Sequence, residues 1–152
     1  MFTKRSITLT SIYTSIAFII AISCADGNAI KEKNATSNPY VGTWRLFKTT
    51  GNMVGSERTG EDLPFYEEYL IDPDGTFTKI RIDHGITKRA EGSYTFSEEN
   101  NEATLTYSSP ENMIVNCTQD NTEHLIFSSK KTCHNSAMAC DQPGLFYEKV
   151  TN

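Results

Sequence analysis

Histidine is scarce in this chain: 152 residues hold three, His84, His124 and His134. No Gly-x-Ser-x-Gly elbow, His-Glu-x-x-His helix or glycine-rich phosphate loop accompanies them. The linear motifs of serine hydrolases, zinc proteases and nucleotide-binding enzymes are thus missing, and the chain reads as non-catalytic, with no cofactor expected. Basic residues are a minority, 14 Lys and Arg against 19 Asp and Glu, for a formal net charge of -5. Binding a phosphate backbone takes clustered Lys and Arg that release its counterions, so nucleic acid is not an expected partner. Long hydrophobic runs are absent too. The longest, Ile16 to Ile22, is far short of the roughly 20 apolar residues that carry a helix through a bilayer. What is present is enough for one folded domain: 38% of the residues are hydrophobic and 11% aromatic, well above the composition of disordered chains.

The first two dozen residues stand apart. Lys4 and Arg5 precede the apolar stretch that peaks in Ile16-Ala17-Phe18-Ile19-Ile20-Ala21-Ile22, the layout of an export signal. Ala21-Ile22-Ser23-Cys24 resembles the bacterial lipobox, with Ala where Leu is commoner. The resemblance implies a lipoprotein signal over 1–23 and a diacylglyceryl group on Cys24, so that the membrane becomes a partner through a lipid anchor. Several acyl chains would hold stably, since each buried methylene contributes about 0.8 kcal/mol. Ala25 rather than Asp after that cysteine implies, by enterobacterial sorting rules, passage to the outer membrane. Ordinary cleavage after Ala25 is the alternative, because Ser23-Cys24-Ala25 also has small residues at the required spacing. Residues 24–39 offer little to bury and no periodicity, and read as a flexible tether.

From Tyr40 to Asn152 the pattern changes to short runs rich in Thr, Ile, Val, Tyr and Phe, punctuated by Gly, Asn, Asp, Pro and Ser, the signature of an all-β domain. Eight strands are expected, near Gly42–Lys48, Glu67–Ile71, Thr76–Asp83, Lys88–Phe96, Ala103–Tyr107, Met113–Gln119, Glu123–Phe127 and Gly144–Val150. Asp72-Pro73-Asp74-Gly75, His84-Gly85 and Asp120-Asn121 read as tight turns between antiparallel neighbours. Alternation in Trp44 and Leu46, Tyr69 and Ile71, Tyr94 and Phe96, Leu105 and Tyr107 turns one side of each strand inward. Eight such strands close into an antiparallel up-and-down barrel, which removes free edges; a two-sheet β-sandwich is the alternative.

The opening of the first strand, Val41-Gly42-Thr43-Trp44-Arg45-Leu46, resembles the Gly-x-Trp signature of lipocalins. Asp72 to Phe77, Glu91-Gly92-Ser93-Tyr94 and the ending Cys140 to Val150 strengthen the likeness. Together they look like the small lipocalin-like lipoproteins of Bacteroidetes, over most of the chain after Pro39. The resemblance implies a lipocalin-like barrel with Trp44 plugging its closed end and Lys149 covering the ring, and a small hydrophobic ligand as partner. An eight-stranded barrel has room either for its own side chains or for one small ligand. Trp44, Tyr69, Phe77, Tyr94, Phe96, Tyr107 and Phe127 are the aromatic candidates for that interior, as core or as ligand-binding residues.

If Cys24 carries lipid, Cys117, Cys133 and Cys140 remain, enough for one disulfide in an oxidising compartment. With Cys117 placed near the Asp120-Asn121 turn and the other two in the long segment after Phe127, expected at the opposite end of the barrel, the favoured bond is Cys133–Cys140. Cys117 is the alternative partner for either. A zinc site from Cys133, His134 and Cys140 would need Cys117, Asp141 or a distant histidine as the fourth ligand of structural zinc, and no metal is expected. Glu67 and Glu68, adjacent on one strand, point to opposite faces and do not form a carboxylate pair. Glu98 to Glu102 reads as a polar hairpin tip, and His84 and His124 as surface or strand residues.

Overall fold

The computed structural model describes residues 38–109 and 112–151. The expected signal, the lipidation residue Cys24 and all but the last two residues of the tether lie outside the described residues. Nine strands follow one another: β1 (Gly42–Thr50), β2 (Arg58–Thr59), β3 (Tyr66–Ile71), β4 (Thr76–Asp83), β5 (Ile86–Ser97), β6 (Glu102–Tyr107), β7 (Thr122–Phe127), β8 (Thr132–Asn135) and β9 (Gly144–Lys149). Eight of them, β1 and β3 to β9, make a closed antiparallel up-and-down barrel. Each pairs with the next in sequence, and β9 returns to β1 from Trp44↔Lys149 to Thr50↔Gly144. The two-residue β2 pairs only with β1, outside the barrel. Closure settles the choice between barrel and sandwich.

Local chemistry explains the hairpins. At the β4–β5 turn His84 and Gly85 both take positive φ, 47° and 78°, matching the twist of the flanking strands. At the β3–β4 turn Asp74 accepts hydrogen bonds from the Thr76 amide at 3.0 Å and hydroxyl at 2.7 Å, which hold its carboxyl below the usual range. Between β5 and β6 the strands run so close at Gly92 that a Cβ there would lie 2.0 Å from the Thr106 carbonyl oxygen. No other residue fits without parting the strands.

Two elements differ from the sequence reading. Met113–Gln119 is not a strand: Asn116 folds it into a loop, donating to the carbonyls of Asp120 at 2.9 Å and Thr122 at 2.7 Å and accepting from the Gln119 amide at 3.0 Å. Those bonds replace a ladder, and Asp120-Asn121 ends that loop instead of joining two strands. The missing eighth strand is β8, whose inward residues are Cys133 and Asn135. Asn135 is an unpromising core residue by type. It is buried because its side chain accepts from the Leu145 amide at 3.0 Å and donates to the Pro143 carbonyl at 3.2 Å.

The register places the connections on two unlike ends. At one, the turns 72–75, 98–101 and 128–131 are short. There Trp44 is packed edge-on against Phe127 at 5.0 Å, Tyr40 and Phe96 stack beside them, and the Trp44 indole N–H donates to the Tyr40 carbonyl at 2.8 Å. Lys149 covers this plug, its Nζ 5.9 Å from the Trp44 ring centroid. Gly42, at φ 130°, passes beneath that lysine, where a Cβ would come within 3.1 Å of Lys149 Cε. The other end carries the segments 51–65, 112–121 and 136–143.

Candidate functional site

Beneath the long segments the barrel interior is charged. Glu67 on β3, Lys79 on β4 and Glu123 on β7 are each 0% exposed. They face inward because they stand in phase with apolar neighbours on their strands: Glu67 with Tyr69 and Ile71, Lys79 with Phe77, Glu123 with Leu125 and Phe127. Lys79 Nζ lies 3.1 Å from Glu123 Oε2 and 3.5 Å from Glu67 Oε1, and donates to the Met113 carbonyl at 2.8 Å. Three tyrosine hydroxyls complete the shell. Tyr69 donates to Glu123 at 2.7 Å, Tyr107 donates to the same oxygen, and Tyr147 donates to Glu67 at 2.6 Å. Arg81 joins from the open side with its Nε on Glu67.

Two formal positive charges thus face two negative ones, and almost every polar atom has a partner, the condition under which a buried ionic cluster is tolerated. Burial, followed by the field of the carboxylates, pushes the hydroxyls of Tyr69, Tyr107 and Tyr147 far up. All three are neutral donors at any physiological pH. For Arg81, burial pulls the guanidinium down, but the charge and hydrogen bond of Glu67 outweigh it and the net direction is up. The exception to full pairing is Arg81 Nη2, a buried atom with no hydrogen-bond partner.

Arg81 also lines a half-open cleft of about 380 Å³ at this end of the barrel. Pro64, Phe65, Val115, Pro143 and Leu145 supply its apolar walls, while Thr49, Thr50, Ser56 and Gln142 add uncharged polar groups. Thr49 turns inward because a bulge between Leu46 and Lys48 shifts the phase of β1. Phe65 lies over the guanidinium, its ring centroid 4.1 Å from Arg81 Cζ. The rim is tied down by the Cys117–Cys140 disulfide, by Asn52 donating to the Asp141 carbonyl at 2.9 Å, and by the Lys79 bond to Met113, whose side chain is buried in the core. A depression of similar size, about 390 Å³, at the closed end is lined by Asn38, Tyr40, Phe96, Glu98 and Asn101. It sits on the outside of the aromatic plug, next to where the described chain begins, and has no buried polar group awaiting a partner.

The disulfide corrects the expected pairing. Cys140 bonds Cys117, with Cα atoms 5.7 Å apart, and Cys133 is a free, buried thiol. The physical reason is β8: an added strand after β7 carries the chain back to the open end, so Cys140 meets Cys117 there while Cys133 stays in the core between Phe127 and Tyr147. Burial pushes the Cys133 thiol well up. Cys140 is thus oxidised, and His134 packs on Phe146 outside the barrel.

The seven aromatic candidates divide. Trp44, Phe96 and Phe127 build the closed-end plug; Phe77 packs edge-on against Tyr107 at 5.0 Å; Tyr94 donates to the Asp72 carbonyl at 2.9 Å. Tyr69 and Tyr107 serve the ionic cluster. None of the seven lines the open-end cleft. Glu67 and Glu68 do point oppositely, but Glu67 is a core residue, and sequence reasoning missed it together with Lys79, Arg81 and Glu123. The signal was there in the phase of the strands, since Phe77-x-Lys79-x-Arg81 and Glu123-x-Leu125-x-Phe127 put charges on the apolar face. His84, beside Asp83 in its turn, and His124, 2.7 Å from Glu102 on the outer face, sit on the surface side of the sheet. No protein-family model matches the chain, and no curated protein is similar to it in sequence.

Proposed function

We propose that this chain is a lipid-anchored, non-catalytic, lipocalin-like binding protein of the bacterial cell envelope that takes a small hydrophobic ligand. The lipobox-like Cys24 and the tether after it supply the anchor; the barrel supplies a rigid frame; the ligand enters at the loop-rich end. The observation that carries the reading is the cleft there, half-open, walled mainly by apolar side chains and framed by a disulfide, at about 380 Å³ near the lower end of the range for small-molecule sites. The deeper interior is occupied by its own aromatic rings and the ionic cluster, which confines a ligand to the cleft.

Native mass spectrometry of the domain, purified from a bacterial host without detergent, tests this. A copurifying small molecule that is lost when Val115 and Leu145 are replaced by polar residues is the expected result. Bare protein from every host, with no spectral change on adding hydrophobic compounds, would overturn it. The filled interior supports a second reading, a structural or protein-interaction lipoprotein whose barrel is a platform, and that negative outcome is the one it anticipates. Globomycin-sensitive labelling of the full chain with radioactive palmitate, abolished by Cys24→Ala, tests the anchor separately.

A further inference from the structure

We infer that the open-end cleft selects ligands that are uncharged and carry one hydrogen-bond acceptor, a carbonyl-type oxygen on an apolar body, which Arg81 Nη2 receives. The inference rests on the cleft being a ligand site, and adds which chemistry it takes. Of the residues that line the cleft, Arg81 alone carries a charge. Its Nε is spent on Glu67, whereas Nη2 is buried without a partner, a costly state for a charged donor. A ligand oxygen would accept from it. The Phe65 ring stacked over the guanidinium belongs to the end of the 51–65 segment and is only half-buried, so an entering apolar body can take its place and bring the oxygen to the nitrogen.

Charge balance decides what kind of oxygen. Arg81 and Lys79 are already matched by Glu67 and Glu123 within one hydrogen-bonded cluster. A carboxylate in the cleft would add a third negative charge to two positive ones, close to Glu67, and would surrender its own hydration to do so. A ketone, ester or amide oxygen accepts from Nη2 and leaves the balance untouched. The remaining lining, threonine, serine and glutamine side chains among apolar ones, makes no demand for charge.

Three isosteric probes separate the possibilities: ethylbenzene, acetophenone and benzoate share an aromatic body and differ in having no acceptor, a neutral one or an anionic one. Their dissociation constants are measured by NMR titration of the folded domain, following Phe65 ring, Val115 methyl and Arg81 guanidinium signals. Acetophenone is expected to bind about tenfold more tightly than ethylbenzene, the equivalent of one hydrogen bond to a charged donor, and more tightly than benzoate. In Arg81→Lys, which keeps a cation for Glu67 but has no second nitrogen to offer, the ratio of ethylbenzene to acetophenone dissociation constants should fall to about one. Arg81→Met should give the same fall. If neither variant folds, the wild-type ranking alone decides. Equal binding of acetophenone and ethylbenzene would overturn this inference and leave the small-molecule reading standing. Tightest binding by benzoate would overturn the neutral-acceptor assignment in favour of an anionic ligand. Failure of all three to shift the cleft signals would bring down the inference and the proposed function together.

Discussion

The two ends of the barrel solve the same problem, filling the mouth of a closed sheet, with opposite chemistry. The short-turn end is plugged by Trp44, Phe96, Phe127 and Tyr40, a stack whose stability is burial and whose one buried donor, the indole N–H, is satisfied at 2.8 Å by a carbonyl. The loop-rich end is filled by four ionisable side chains and three phenols, none of which could be there without the others. An apolar plug fails gradually as atoms are removed from it; an ionic one fails as soon as a partner is lost. The open cleft lies beside the end that holds polar groups and long segments.

The largest expected effects test that contrast directly. Lys79→Met should destabilise the domain by about 3 to 5 kcal/mol in denaturant unfolding, because it leaves Glu123 in the core without a cation. Trp44→Ala should cost about 3 to 5 kcal/mol at the other end through lost burial and a cavity. The two differ in what restores stability. A second substitution of Glu123→Gln should recover part of the Lys79→Met loss, whereas it should only add to that of Trp44→Ala, a double-mutant comparison that collapses if the ends are physically alike. Replacing both Cys117 and Cys140 by serine should cost about 3 kcal/mol in the chain-entropy model for a bond spanning 23 residues. Hydrogen exchange should then rise in 112–119 and 136–143 but not around Trp44.

A pH prediction follows from the tyrosines. Tyr69, Tyr107 and Tyr147 all have hydroxyls raised in the folded state, so above pH about 10 the unfolded chain gives up protons that the folded one keeps. Their contribution is fully present below that pH and is lost as pH rises further, by about 1.4 kcal/mol per pH unit for each phenol. Phenolate absorbance should therefore appear in two stages, the second coinciding with unfolding; a single smooth titration of all tyrosines would contradict the buried shell. The smallest effect is chemical. Cys133 should react with a thiol reagent only when the domain is unfolded, and be the one free thiol found there, because its sulfur is buried with a raised pKa.

Much of the frame was legible beforehand. Positive-φ turn residues at His84-Gly85, the tight turn at Asp72–Gly75 and the apolar alternation of β1, β3 and β6 are local signals, and they located seven of the eight barrel strands. The strand that escaped, β8, has only Cys133 and Asn135 on its inner face, and the false one at Met113–Gln119 has β-favouring residues but a side chain, Asn116, that bonds the loop to itself. That single exchange reversed the direction of the chain after Phe127, and the disulfide was misassigned in consequence. The candidate site was less legible than the fold. Its apolar walls come from segments without periodicity, and its charged residues form no linear motif, so that only the phase of their strands puts them inside.

By itself the sequence determined the all-β class, the turns and the inward or outward sense of most strands, because these depend on neighbours a few residues apart. It also determined the lipobox-like cysteine and the tether composition. Only tertiary structure decided which cysteines meet, that Glu67, Lys79, Arg81 and Glu123 neutralise one another, and that a cleft opens over Arg81. Those outcomes depend on closure of β9 onto β1, which brings residues 80 positions apart, Glu67 and Tyr147, within hydrogen-bonding distance. No local pattern encodes a contact of that range. The energy of a buried charge is set by whatever closure places against it.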